Sequence, residues 1–111
     1  MIHKVRDKHK PHYSLDVIKR LFSRKKTQAI TNVAQQGAVS EGYMTPQEIE
    51  SVISKLTTEN FYKSMTAYQN YQIWQDVYKF NDGEKQLYIK LQLSVDGRKA
   101  ILIQFKKDEG E

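Results

Sequence analysis

Apolar residues recur along the first half of this chain at steps of three and four, and along the second half at steps of two. Leu15, Ile18, Leu21 and Phe22 follow Ser14 at helical spacing, so Ser14 reads as an N-cap and Leu15 to about Arg24 as a first helix. The basic run Arg24-Lys25-Lys26 suits the negative end of its macrodipole. A second helix is expected from Thr27, with Ile30, Val33 and Ala34 on one face and Gly37 as its stop, leaving 37–44 as a loop. Thr45 and Glu48 have capping-box spacing, and Pro46 takes the first helical position between them. Ile49, Val52, Ile53 and Leu56 then mark a third helix ending near Thr57.

Beyond that point the period shortens. Ile73 to Phe80 is aromatic and β-branched and predicts a strand, and Asp82-Gly83 predicts a hairpin turn. Lys85 to Ser94 alternates, with Leu87, Ile89, Leu91 and Leu93 on one side and Gln86, Tyr88, Lys90 and Gln92 on the other. Asp96-Gly97 turns the chain again. Ala100 to Lys107 is the last strand, with Ile101, Ile103 and Phe105 expected on the core face and Leu102, Gln104 and Lys106 opposite. Helices followed by antiparallel strands imply an α+β fold, in which N-terminal helices cover one face of a curved antiparallel sheet. The chain divides into a basic arm at 1–13, interrupted by Pro11 and expected to be mobile, a single domain at 14–107, and an acidic tail at 108–111.

One stretch resists this scheme. "FYKSMTAYQNYQIWQDVY", residues 61–78, mixes tyrosines, a tryptophan and glutamines with a single lysine. A buried strand would have to satisfy every one of those polar atoms, and an exposed loop would leave too much ring surface in water. A polar, aromatic binding surface at the border of the sheet reconciles the two.

Charge sharpens that picture. The 111 residues carry 18 Lys+Arg against 13 Asp+Glu, a formal net charge of +5, which favours polyanionic partners. No cysteine is present, so disulfides, thiolate catalysis and cysteine-zinc sites are excluded, and the composition fits a reducing, cytoplasmic setting. No apolar run approaches the length of a membrane span, and the basic arm lacks the apolar core of a signal peptide. His3, His9 and His12 all fall in the arm, where Pro11 prevents His9 and His12 from sharing a helical face, so no metal site is expected. Phosphate loops, nucleophile elbows and zinc-hydrolase motifs are missing. What remains is lysine, tyrosine, glutamine and tryptophan on or beside a sheet. That set can cleave RNA, which supplies its own nucleophile, the 2′-hydroxyl. Lysine and glutamine stabilise the phosphate, tyrosine or lysine carries protons, and rings stack on splayed bases.

"NFYKSMTAYQNYQIWQDVY", "LYIKL" and "ILIQFKK" closely resemble the MqsR toxins of type II toxin–antitoxin systems, which carry "DFYKSMT", "IWQDVYR", "VYLKI" and "IVSFK" in the same order. "HYSLDVIKRLF" is similar to that family's "HTRLSQVKKLV", so the likeness runs over residues 12–107. The resemblance implies a RelE-like fold and a ribosome-independent, metal-independent mRNA endonuclease, without cofactor, cutting GC-containing sites such as GCU. It also implies a partner antitoxin with a zinc-binding N-terminal domain and a DNA-binding C-terminal domain. The family's catalytic lysine, glutamine and tyrosine fall on Lys63, Gln75 and Tyr88, and a C-terminal lysine on Lys106. Tyr62, Met65, Trp74 and Lys90 join Lys106 as expected substrate contacts. The alternatives are a non-catalytic RNA- or DNA-binding regulator, which would bind RNA and leave it intact, and a protein-interaction domain that pairs through a strand edge.

Overall fold

The computed structural model describes residues 5–110; what was expected of residues 1–4, His3 included, and of Glu111 lies outside the described residues. Three helices lie against a six-stranded sheet of order β1-β3-β4-β5-β6-β2. In chain order these elements are β1 (Asp7–Lys8), α1 (Leu15–Phe22), β2 (Gln28–Ile30), α2 (Asn32–Ser40), α3 (Pro46–Ser54), β3 (Phe61–Ala67), β4 (Asn70–Asp82), β5 (Lys85–Leu93) and β6 (Ala100–Lys107). Every pairing is antiparallel except β2 with β6. The α+β class and the helix-covered curved sheet expected from the two periods are therefore what the chain forms.

The caps work as their residues predict. Ser14 accepts from the Val17 N–H, and Thr45 from the Glu48 N–H at 3.1 Å, while the Glu48 carboxylate reaches back to the Met44 N–H. α1 and α3 thereby present Leu15, Ile18, Phe22, Ile49, Val52 and Ile53 to the sheet, where they meet Tyr78, Leu87, Ile89, Leu91, Leu102 and Phe105 in one buried cluster.

The second helix departs from expectation. Thr27 lies in a short 3-10 turn, and residues 28–30 form β2, added parallel to β6 at the sheet edge. Thr31 is the true N-cap: its hydroxyl accepts from the Ala34 N–H at 3.1 Å and donates to the Ile103 carbonyl at 2.9 Å. Gly37 does not end α2 but sits inside it, because the helix presses directly on β6. A methyl group at Gly37 would overlap the Phe105 carbonyl oxygen. Tertiary contact, not helix termination, requires the glycine there.

Two bulges set which side chains face which way. In β6 the register passes from Lys90 opposite Gln104 to Leu91 opposite Leu102, leaving Ile103 as an extra residue whose carbonyl Thr31 satisfies. The alternation expected for β6 therefore holds for Phe105, Gln104 and Lys106 but reverses below them. Leu102 and Ala100 are fully buried among the helices, and Ile101, placed on the core face by simple alternation, points to the other side. In β3 a second shift falls between Phe61 and Lys63. Phe61 packs edge-on against Tyr78 in the core (5.6 Å between centroids, 72°), and the bulge at Tyr62 turns Lys63 to the opposite face.

The arm is not loose. Asp7 and Lys8 pair with Met65 and Ser64 at the edge of β3, and Arg6 exchanges hydrogen bonds with Thr66. Asp76, buried on the helix side of β4, accepts the His12 N–H at 3.0 Å and the Tyr13 N–H at 2.9 Å. A buried carboxylate needs such donors, and the arm's backbone supplies them. The segment expected to be mobile is thus tied down over residues 6–13 because Asp76 is inside.

The contact of α2 with β6 has a measurable consequence. Gly37→Ala is expected to lower stability by about 1–3 kcal/mol, the usual cost of forcing extra volume into a filled site. A urea unfolding curve would show it as a lower midpoint with an unchanged slope. An unchanged midpoint would mean that α2 stands clear of β6.

Candidate active site

The face of the sheet turned away from the helices is organised in cross-strand rows. Lys63, Val77, Lys90 and Gln104 lie opposite one another on β3, β4, β5 and β6. The next row is Lys79, Tyr88 and Lys106. On the other side of the Lys63 row stand Met65 and Gln75. Four lysines, Lys63, Lys79, Lys90 and Lys106, thus share one face with the candidate tyrosine and glutamine.

Rings and cations interleave across these rows. The Lys79 ammonium lies 4.0 Å from the centre of the Tyr62 ring, and that of Lys63 lies 5.6 Å from it. The Lys106 and Lys90 ammonium groups stand 4.9 and 5.9 Å from the centre of the Tyr88 ring. These are cation–π distances. Lys79 also pairs with Asp108 of the acidic tail at 3.4 Å. Tyr62 is exposed and Lys63 half-buried, whereas Tyr88 is only 3% exposed. The phenol therefore belongs to the floor of the face and not to its rim.

Lys63, Gln75 and Tyr88 share this side without forming a contact triad. Lys63 and Gln75 are diagonal neighbours, about 7–8 Å apart at Cα. Tyr88 is two strands over and two residues along from Lys63, about 12 Å by sheet spacing, and about 14 Å from Gln75. Between Lys63 and Tyr88 stands Val77, the shortest side chain of the face, so a lysine and a tyrosine leaning inward can meet one group held above it. The Gln75 amide is held from its far side. Its Nε2 donates to Gln92 Oε1 at 2.8 Å, and Gln92 Nε2 donates in turn to the Leu93 carbonyl at 3.3 Å.

Among the expected substrate contacts, Tyr62, Met65, Lys90 and Lys106 lie on this face. Trp74 does not. It sits opposite Thr66 on the helix side of β4, enclosed by the arm. The His12 ring stacks on it at 5.6 Å and 19°, and the Lys8 ammonium lies 4.2 Å from its centre. The sequence offered two mixed faces for this strand; the core position of Tyr78 decides between them and carries Trp74 and Asp76 inward with it. Lys79 and Gln92 are the face residues that sequence reasoning passed over as site members. Gln92 is visible in the alternation of β5 and Lys79 is assigned to neither face, while the hydrogen bond from Gln75 to Gln92 crosses strands and leaves no local signal.

A cavity of about 420 Å³, lined by Ser23, Lys25, Gln28, Pro46, Gln47 and Glu50, contains none of these groups. The chemistry gathers on the sheet face, so the face and not the cavity is the candidate site.

Fold and face define an α+β domain whose open sheet face gathers ammonium groups, rings and carboxamides. The chain belongs to the MqsR toxin family, described as the motility quorum-sensing regulator, toxin of MqsA, whose pattern matches residues 10–107. It is 31% identical over 105 residues to the mRNA interferase toxin MqsR of Escherichia coli (strain K12), a match covering 91% of this chain and 98% of that protein. The resemblance carried by FYKSM and WQDVY is confirmed.

The arm contact has a pH signature. Burial, and next the Lys8 ammonium, lower the His12 pKa from its ordinary 6.5, against an opposing pull from Asp76. The folded state therefore favours neutral His12, which accepts a hydrogen bond from Lys8 at 2.9 Å. Stability from this contact is complete above 6.5, where the unfolded histidine is also neutral, and is lost as pH falls through and below that value. Trp74 is the only tryptophan, so its fluorescence should titrate with a midpoint under 6.5 and lose that transition in His12→Ala. Emission that stays flat between about pH 5 and 7 in the wild-type protein would contradict the stacking.

Proposed function

We propose that this protein is an endoribonuclease toxin that cleaves single-stranded mRNA by attack of the ribose 2′-hydroxyl on the adjacent phosphodiester. The relative's name as an mRNA interferase toxin supports the enzymatic class. The observation that carries the reading is the placement of Lys63, Gln75 and Tyr88 on one sheet face, flanked by Lys90 and Lys106.

In this reaction the 2′-oxygen forms a bond to phosphorus while the bond to the 5′-oxygen breaks, leaving a cyclic phosphate and a free 5′-hydroxyl. Lys63 neutralises the charge that builds on the phosphorane and gives a proton to the departing 5′-oxygen. Tyr88 orients or deprotonates the 2′-hydroxyl, so the proton lost there is relayed through the phenol while Lys63 delivers another to the 5′-oxygen. Gln75 holds the substrate by hydrogen bonding, and Lys106 and Lys90 hold phosphates. Tyr62 and Met65 supply surface for bases beside Lys63. An ammonium, a phenol and a carboxamide suffice for these roles, so cleavage needs no metal; the preference for GC-containing sites such as GCU is what the family resemblance implies. In the cell a cognate antitoxin restrains the activity, as the family description of a toxin of MqsA supports. That partner combines a zinc-binding N-terminal domain with a DNA-binding C-terminal domain, and the complex is cytoplasmic.

Removing a single donor that acts on the transition state costs about 10²–10³ in rate. Lys63→Ala is expected to fold with an unchanged circular-dichroism spectrum yet cleave a defined transcript more slowly by that factor, in the presence of EDTA, with 5′ ends mapped. Equal cleavage by wild type and variant would remove Lys63 from the chemistry. Binding of the transcript without any cut by the wild-type protein would favour a non-catalytic RNA-binding regulator.

A further inference from the structure

Gln75 is 9% exposed and Gln92 8%, so both residues are set largely within the sheet face. Its orientation is decided at the Leu93 carbonyl. A carbonyl can only accept, so the Gln92 end that faces it at 3.3 Å must be Nε2. Gln92 then turns Oε1 toward Gln75, and Gln75 must answer with its own Nε2, at 2.8 Å. One backbone acceptor thereby polarises both side chains. Gln75 Oε1 is left without a hydrogen-bond partner among the described residues, an acceptor still to be met.

That oxygen decides what Gln75 can recognise. A phosphate offers only acceptors and would set negative charge against it. A base edge with an amino group beside a ring nitrogen, as in cytosine or adenine, offers a donor for Oε1 and an acceptor for the remaining N–H of Nε2. Position agrees with chemistry. Gln75 stands about 14 Å from Tyr88 by sheet spacing, beyond the phosphodiester that Lys63 and Tyr88 share.

We infer that the Gln75–Gln92 amide pair, polarised by the Leu93 carbonyl, is a base-reading subsite that selects an amino-bearing base next to the cleaved bond. Gln75 touches the base, and Gln92 is the positioning residue that fixes which way round Gln75 stands. This rests on the nuclease reading above and extends it to sequence preference.

The test is cleavage of a pooled RNA library, with 5′ ends mapped, by wild-type protein, Gln92→Met and Gln92→Glu. Wild type should favour cytosine or adenine over uracil by about tenfold at one position near the cut, the discrimination of one bidentate base contact. Methionine neither donates nor accepts there, so Gln92→Met should lose the preference at that position alone. A protonated glutamate donates to the Leu93 carbonyl and accepts from the Gln75 N–H, whereas an ionised one sets an oxygen against that carbonyl. Gln92→Glu should therefore keep the preference only at a pH low enough to protonate it. Gln75→Ala should erase the preference, and adding Gln92→Met to it should change nothing more. Thermal melting of each variant separates these effects from unfolding. An unaltered preference in folded Gln92→Met, or no base preference in an active wild-type protein, overturns the inference. A wild-type protein that cuts no RNA overturns the nuclease reading instead.

Discussion

Leu87, Ile89 and Leu91 must lie under the helices, and that constraint orders everything else in the molecule. A strand carries its side chains to alternate sides, so fixing these three on the core side sends Tyr88, Lys90 and Gln92 to the other. The neighbouring strands inherit the division through the ladder. Tyr78 opposite Ile89 is buried among the helices, and Lys79 opposite Tyr88 therefore faces away from them. Slipping one residue in this register would set Tyr88, Lys90 and Gln92 under the helices and turn the apolar stripe away from them, so the hydrophobic term and the layout of this face are one choice.

The two bulges adjust this rule where the site needs it. Without the shift in β3, Phe61 and Lys63 would share a face, and the core could hold its phenylalanine only by burying an ammonium. Without the extra residue in β6, Leu102 would stand beside Gln104 on the cationic side. The carbonyl left over by that bulge meets the Thr31 hydroxyl, the same group that caps α2. Helix start, bulge and face are joined through one side chain.

The aromatic and polar stretch at 61–78 now divides by side. Trp74, Asp76 and Tyr78 turn inward, where Asp76 clamps the arm's backbone and Trp74 stacks on His12. Gln75, Val77 and Lys79 turn outward with Lys63 and Met65. The ring-and-amide mixture that suits neither a core nor a loop serves two surfaces at once. Both FYKSM and WQDVY contribute residues to the outward face.

By itself the sequence determined the α+β class, the caps at Ser14 and Thr45, the alternation of β5 and the family. These are local properties: a hydroxyl three residues before an N–H, an apolar residue every second position, a motif in order. It also determined that Tyr88, Lys90, Gln104 and Lys106 share a side, since β5 and the upper half of β6 follow plain alternation. The tertiary structure alone decided that Gly37 lies within a helix, that residues 28–30 form a strand, that Ile101 and Leu102 exchange sides, and that Trp74 belongs to the arm. It alone set Gln75 against Gln92. In each case the deciding partner is far away in the chain, whether the Phe105 carbonyl, β6, the Thr31 hydroxyl, His12 or, for Gln75, the Gln92 amide. No local pattern can register a contact whose other half is supplied by folding.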